Sequence, residues 1–426
     1  MFIKQIGDWV ENNKEEILEF NKKLVSIPSV NRYPTGDELE VQLFIEKTLK
    51  ELGCETKTFI PTDVPELTSH PAYLEGREYE NRPNVVGVKK GTGGGRSILF
   101  SGHVDTVPEG DVPWSVDPYS GIIEDGKQYG LGIFDMKGGI AASILALKAL
   151  SEIRVKLKGD LIIETVVDEE YGGANGTLAN RLNGIEADIA IVPEPSNMVI
   201  CPANQGGSMF RITFSGRSGR SYSGEELLNP VYAATRFIEI FRQYEKYQSE
   251  KIAQSSLFHN QGLPTLIQGM KAGPVDLPLC DRVPSYCSID VWIQCYPETT
   301  EEQLREDFIN FYKEKSKNDG ILAKMPPKFE KLIRFLPGSG IDENHDFLKV
   351  AQQASVKVGE KLPIAGAPFA CDLFMFNLYS DTPAIIWGPR GGNAHSNDEF
   401  IYVDDFLKLI KMYALTIIDW CGVEDK

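Results

Sequence analysis

The chain has 426 residues, 42% of them hydrophobic and 25% charged, so it can bury sizeable cores and reads as two domains rather than one. Its 61 acidic side chains outnumber 44 basic ones and leave a formal charge of −17, which argues against a surface for nucleic acid or an anionic membrane. The N-terminal MFIKQIGDWVENNKEEILEF is charged throughout, unlike a signal peptide, and no run approaches the roughly 18 apolar residues of a membrane span. Seven cysteines, at positions 54, 201, 280, 287, 295, 371 and 421, contain no C-x-x-C pair, which fits reduced thiols in a cytoplasmic protein.

In chain order, apolar spacing predicts helices over 11–26 and 38–52. VVGVKK and RSILFSGHVD then read as strands, the second apolar enough to be buried on both faces. An alanine-rich helix covers 137–151, opening at Lys137-Gly138-Gly139, and GDLIIETVVDEE and ADIAIVPEP are two further buried strands. This is an α/β pattern with a largely parallel sheet, in which sites collect at the carboxyl ends of strands. From Ser208 the rhythm changes to strand, helix 229–248, strands PTLIQGM and SYCSIDVWIQCY, helix 301–315 and strand KFEKLIRFL. That order is the split βαβ of ferredoxin-like α+β domains. The α/β pattern returns after Gly338-Ser339-Gly340 with helix 344–358, strand TPAIIWG and helix 403–420. The expected organisation is a discontinuous catalytic domain, 1–207 and 338–426, interrupted by an inserted lid domain, 208–337.

Seven polar residues recur beside apolar runs that end in glycine or proline. His103 and Asp105 lie in SGHVDTVP, Asp135 in GIFDMKGG, Glu169 and Glu170 in VDEEYGG, Glu194 in VPEPSN and His395 in NAHSNDEF. Taken singly, each has an ordinary explanation: a loop histidine, a helix-capping aspartate, a solvated acidic turn. Taken together they suggest one built site for two metal ions. Histidine with carboxylate suits Zn²⁺, with Co²⁺ or Mn²⁺ as substitutes. Asp105, two residues from His103, can fix the imidazole through its second nitrogen. Adjacent carboxylates repel, so Glu169-Glu170 makes most sense if one ligates a cation while the other takes a proton from metal-activated water. The glycines of GTGGG at 91–95 precede a strand rather than open a helix, contrary to phosphate-binding geometry.

SGHVDTVP, FDMKGG, DEEYGG, EPS and AHSNDEF occur in the order and approximate spacing of a known family, across nearly the whole chain. The chain resembles the co-catalytic zinc hydrolases that include acetylornithine deacetylase, succinyl-diaminopimelate desuccinylase, aminoacylase and carboxypeptidase G. The resemblance implies that Asp135 bridges two zinc ions, with His103 and Glu194 completing one site and Glu170 and His395 the other. It implies Glu169 as the catalytic base, Asp105 as the residue that orients His103, and a cis peptide at Asp135-Met136. It further implies a homodimer formed through the lid domain and amide hydrolysis of a small N-acyl amino acid or dipeptide by a di-metal-activated water.

Two lid positions depart from the family. Arg220, in Gly216-Arg217-Ser218-Gly219-Arg220-Ser221, stands where members carry a histidine that reaches a neighbouring subunit's site. Asp290-Val291-Trp292 stands where members read aspartate-x-arginine. Arg220 can replace the histidine as an oxyanion donor or bind a substrate carboxylate. A competing expectation is a catalytically impaired metal-binding homologue with a scaffold or regulatory role.

Overall fold

The computed structural model describes residues 2–173, 175–220, 224, 226–273 and 282–424, and they form two compact units. One comprises Met1–Ala203, Ser339–Ala367 and Cys371–Lys426; the other comprises Asn204–Gly338 with Pro368–Ala370. The return of three residues, 368–370, to the inserted unit has no counterpart in the sequence reading. Among the described residues no helix is long and apolar enough to cross a membrane, and the six cysteines described are free thiols. Cys280 lies outside them.

The chain opens with α1 (Phe2–Asn12), α2 (Lys14–Val25) and α3 (Leu39–Glu51), where the spacing predicts only the second and third. The strands β1 (Glu55–Phe59), β2 (Asn84–Lys89) and β3 (Ile98–His103) follow, then α4 (Gly138–Glu152), β4 (Leu161–Val166), α5 (Asn175–Leu182) and β5 (Ala190–Val192). β1 escapes the sequence reading because ETKTF is a polar edge strand with no buried face to set a period. α5 escapes it because Asn175, Thr177, Asn180 and Arg181 are buried by tertiary packing rather than by being apolar.

The inserted unit runs β6 (Gly206–Ser215), α6 (Pro230–Ser249), β7 (Thr265–Gly273), β8 (Tyr286–Cys295), α7 (Glu301–Ser316) and β9 (Lys328–Lys331). Its sheet has the order β7-β8-β6-β9 with every pair antiparallel, the ferredoxin-like arrangement. Alternation along β6 and β8 sends Phe210, Ile212, Phe214, Ile289 and Val291 to one face, where Phe237, Phe241 and Phe308 of the two helices cover them. α7 starts at a capping box between Thr300 and Gln303.

The chain then returns to the first unit with α8 (Asp346–Lys357), β10 (Ala384–Ile386) and α9 (Val403–Cys421). The large sheet has the order β10-β5-β3-β4-β2-β1. Its four strands β10, β5, β3 and β4 are parallel, whereas β2 runs antiparallel to both β4 and β1. Register is what builds the site. His103 pairs with Val166, and Phe100 with Ile191, so the residues beyond β4 and β5 emerge level with His103. α4 starts at the same edge, and Gly139 lets it close on β5, since an added Cβ would run into the Pro193 carbonyl beside Glu194. A second, small sheet pairs Gly391–Gly392 with Phe400–Tyr402 and that strand with Lys127–Tyr129, which pins both ends of the loop that carries His395.

Two glycine substitutions separate this close approach from ordinary helix propensity. Gly139→Ala should destabilise the protein by about 2 kcal/mol, because overpacking forces backbone shifts. Gly7→Ala, in α1 with nothing within 4 Å of the added carbon, should stabilise it by roughly 0.5–1 kcal/mol. Urea unfolding of the two variants measures both.

Candidate metal centre

The five ligand candidates and the base candidate meet at the carboxyl edge of the large sheet. Asp135 lies at a kink in the turn Ile133–Lys137 just before α4, with non-helical backbone angles, and its peptide bond to Met136 is cis. Its two carboxylate oxygens face different histidines. Oδ1 lies 3.2 Å from His103 Nε2 and Oδ2 lies 3.3 Å from His395 Nε2. Glu194 Oε1 is 3.8 Å from His103 Nε2, and Glu170 Oε2 is 3.0 Å from His395 Nε2. Two triads result, His103/Asp135/Glu194 and Asp135/Glu170/His395, and within each the candidate ligand atoms lie no more than 4.8 Å apart. A nitrogen and two carboxylate oxygens in each triad, with Asp135 common to both, fit a pair of divalent cations such as zinc. Glu169 Oε2 stands 4.0 Å from His103 Nε2, outside both triads.

The position of Asp105 differs in detail from the sequence expectation. His103 Nδ1 is held at 2.9 Å by the backbone carbonyl of Asp105, and the Asp105 carboxylate is 3.8 Å away. That carboxylate instead accepts the backbone N–H groups of Glu169, at 3.1 Å, and Glu170, at 3.0 Å. The turn after β4 bends back over β3, so peptide donors reach the side chain before the imidazole does. Asp105 therefore orients the ring with its main chain and the two glutamates with its side chain.

Three neighbours have no ligand role suggested by the sequence. Glu399 accepts the N–H groups of Gly132, Phe134 and Asp135 at 2.7–2.9 Å and so clamps the turn that presents Asp135. It lies four residues after His395 inside AHSNDEF, so the motif contained it without indicating its task. Cys371 and Asp372, both buried, form with Glu194 a third group of potential ligands, in which Asp372 also accepts from the Thr177 hydroxyl. No sequence signal singles out either residue.

In the inserted unit, Arg220 is exposed, and Ser221, Tyr222 and Ser223 lie outside the described residues. Asp290 is held by Arg211 through two bonds of 2.7 and 2.6 Å, while Trp292 donates to Gln294 at 3.2 Å.

The centre concentrates buried negative charge. Burial pushes the carboxyl groups of Glu169 and Glu194 well above the usual range, with neighbouring carboxylates adding to the effect, and raises that of Glu170 as well. Burial acts in the same sense on Asp135, but the hydrogen bonds from His103 and His395 outweigh it and lower its pKa. The field of Glu170 raises His395 to about 12. Burial opposes charge on His103, yet its bond to Asp135 and the surrounding acids hold its pKa well above the ordinary imidazole value. Without cations the cluster keeps its balance by holding protons.

That balance predicts how metal removal behaves. The raised carboxyls and imidazoles bind protons more tightly folded than unfolded, so they stabilise the metal-free fold at low pH. The carboxyls lose that contribution as pH rises from about 4.5, and the imidazoles from about 6.5, through their folded values. Cations bound to these residues would take the place of those protons. The drop in Tm on chelation should therefore grow between pH 5.5 and pH 8, measured by thermal unfolding with and without chelator. A constant drop would detach the cations from these groups.

Comparison with known proteins agrees with this geometry. The family model described as peptidase family M20/M25/M40 matches residues 99–419. The chain is 26% identical to the N-formyl-4-amino-5-aminomethyl-2-methylpyrimidine deformylase of Halalkalibacterium halodurans, over 98% of this chain and 97% of that one. It is 27% identical to the protein of the same name from Bacillus subtilis, over 97% and 96%. Among solved structures, the dipeptidase Dug1p of Saccharomyces cerevisiae superposes with a TM-score of 0.77 at 15% identity, covering 99% of each chain. Human carnosine dipeptidase 1 does so with 0.73 at 16%, covering 98% of this chain and 99% of the other. Matched over three-quarters of its length by one family model, with mixed α/β architecture and edge-on clustering of acids and histidines, the chain belongs to the M20/M25/M40 peptidase family.

Proposed function

We propose that this chain is a two-metal amidohydrolase that cleaves the amide bond of a small N-acyl compound. The observation that carries the reading is the Asp135 carboxylate, whose two oxygens face two separate histidines within two separate triads. His103, Asp135 and Glu194 would hold one ion, and Asp135, Glu170 and His395 the other, with zinc favoured by the donor set and cobalt or manganese able to substitute. When bound, such ions polarise an amide carbonyl and make water acidic enough to ionise near neutral pH.

The remaining chemistry belongs to the chain. Glu169, its side chain 11% exposed, stands beside His103 and is not needed by either triad, so its carboxylate is available to take the proton of the attacking water and return it to the leaving nitrogen. Glu399 and Asp105 hold the peptides of Asp135, Glu169 and Glu170 so that these side chains need not reorganise during the reaction. Arg220 supplies cationic donors in place of the family's lid histidine.

Among small N-acyl substrates, an N-acyl amine is favoured over an N-acyl amino acid or dipeptide. Trp292 stands where the family resemblance implies a carboxylate-binding arginine, and Asp290 is already paired with Arg211. Both features favour an N-acyl amine without an α-carboxylate, and the names of the curated relatives, deformylases of an aminomethylpyrimidine, support an N-formyl amine on a heteroaromatic group. Pairing of two copies through the inserted unit is supported by edge strand β7, where Leu266 and Met270 are 52% and 58% exposed.

With zinc or cobalt, the protein should release formate from an N-formyl arylmethylamine faster than it hydrolyses N-acetyl amino acids or dipeptides. Glu169→Gln should keep two ions by elemental analysis and lose about 10²–10⁴ in rate; normal hydrolysis in that variant removes Glu169 as the base. Arg220→Ala should lower kcat by tenfold or more with Tm nearly unchanged, and equal activity would take Arg220 out of the mechanism.

A further inference from the structure

The Asp105 carboxylate has a third partner, and it comes from a segment with no ligand in it. Residues 29–31 run alongside 104–106: Thr106 donates to the Ser29 carbonyl at 3.0 Å, and Asn31 donates to the Thr106 carbonyl at 2.8 Å. The Ser29 hydroxyl donates to the Val104 carbonyl at 2.6 Å. This ladder delivers the Asn31 amide to two buried carboxylates at once, with Nδ2 2.7 Å from Asp105 Oδ2 and 3.0 Å from Asp168 Oδ1. Asn31 Oδ1 accepts from Arg77 Nη2 at 2.6 Å. An arginine can only donate, so this bond fixes which way the amide points. Asp105 thus accepts three N–H groups.

Arg77 grips the 168–171 turn at three places. Its Nε donates to Asp168 Oδ2 at 2.9 Å, and its Nη2 pairs with Asp168 Oδ1. Through Asn31 it acts on Asp105, and so on the peptides of Glu169 and Glu170. Its guanidinium also lies 4.6 Å from the ring centroid of Tyr171, the residue after Glu170. Asp168 sits at φ +68°, a conformation uncommon outside glycine, and Arg82 and Tyr79 donate to it as well, at 3.0 and 2.6 Å. Backbone held in such a region by surrounding donors is a common feature of functional sites. Stability alone is a weak reason for this network, because buried ion pairs gain little over apolar packing.

We propose that Asn31 and Arg77 are positioning residues of the reaction, setting the Asp105 carboxylate so that the Glu169 and Glu170 peptides hold the base and a ligand in register with His103. Neither touches a ligand candidate directly. Their effect passes through Asp105 and through the turn that begins at Asp168. Asparagine is required at position 31 because one side chain must donate twice to carboxylates and accept once from arginine. Aspartate would add a third carboxylate, and alanine would leave both acids short of a donor.

The kinetic part of the test rests on the amidohydrolase reading; the spectroscopic part does not. In the metal-loaded full chain, Asn31→Ala should lower kcat at least thirtyfold, with KM within threefold of wild type and two ions still bound. Its cobalt form should show an altered visible absorption spectrum, which reports the arrangement of ligands around the ion. Arg77→Lys keeps the charge but replaces the fork of Nε and Nη2, which bonds Asp168 twice and Asn31 once, with a single nitrogen on a shorter side chain, so it should move both readouts in the same direction. Tyr244→Phe removes a buried hydroxyl donor from Asp307 in the inserted unit, with no bond to Asn31, Asp105 or Asp168, and should lower Tm alone. An Asn31→Ala protein with wild-type kcat and cobalt spectrum, or with a lowered Tm and nothing else, as in Tyr244→Phe, overturns the proposal. Should Asn31→Ala fail to fold, Arg77→Lys carries the same readouts and the same consequences. A wild-type protein that hydrolyses no N-acyl compound sinks the functional reading, and the cobalt spectra then decide the positioning claim by themselves.

Discussion

Burying several carboxylates in one place is the constraint on which the rest of this structure depends. Asp135, Glu169, Glu170 and Glu194 converge with two imidazoles, and Asp105 lies immediately beneath. Ionised carboxylates taken out of water and set beside one another repel strongly, so the fold must supply protons, donors or cations in compensation. Several devices meet that need. The histidines share the two oxygens of Asp135, peptide N–H groups cap Asp105 and Glu399, and the raised carboxyl groups can hold protons until cations replace them.

Main-chain geometry does most of the compensating. Glu399 and Asp105 each tie down consecutive or nearly consecutive peptides, one in the turn before α4 and the other in the turn after β4. Each clamp joins segments far apart in the chain, 132–135 with 399 and 105 with 169–170. The candidate ligand side chains Asp135 and Glu170 are thus carried by turns whose backbones are already bonded to acids. Pre-organisation of this kind leaves little to rearrange when a substrate binds. Lys137 shows the same economy: fully buried two residues after Asp135, it donates to the Ile27 carbonyl, and burial brings its pKa down to about 7.

The ligand candidates were legible because chemistry of this kind leaves a mark on short stretches of sequence. Apolar runs ending in His-x-Asp, Glu-Glu or Glu-Pro have few ordinary uses, and parallel sheets put such ends along one edge. The supporting residues left no such mark. Asn31 stands in a two-residue strand and Arg77 in an irregular segment, both too short of pattern to show a period, and their contacts reach 46 to 137 positions along the chain. Glu399 lay within a recognised motif, but a glutamate that binds peptide N–H groups looks the same in sequence as one that faces solvent. Polar edge strand β1 and polar, buried α5 were missed for a related reason, since burial imposed by neighbours is invisible to local hydrophobic pattern.

The sequence by itself determined the α/β class, the ferredoxin-like insertion and the set of acids and histidines from which a two-cation centre can be built. These follow from local periodicity and from residue types whose chemistry is intrinsic. Only the tertiary structure decided how they are shared: that the two oxygens of Asp135 face different histidines, and that the carbonyl of Asp105, not its carboxylate, holds His103. Strand register and turn direction settle such matters to within about an ångström, and both arise from pairing between segments that the linear chain keeps apart.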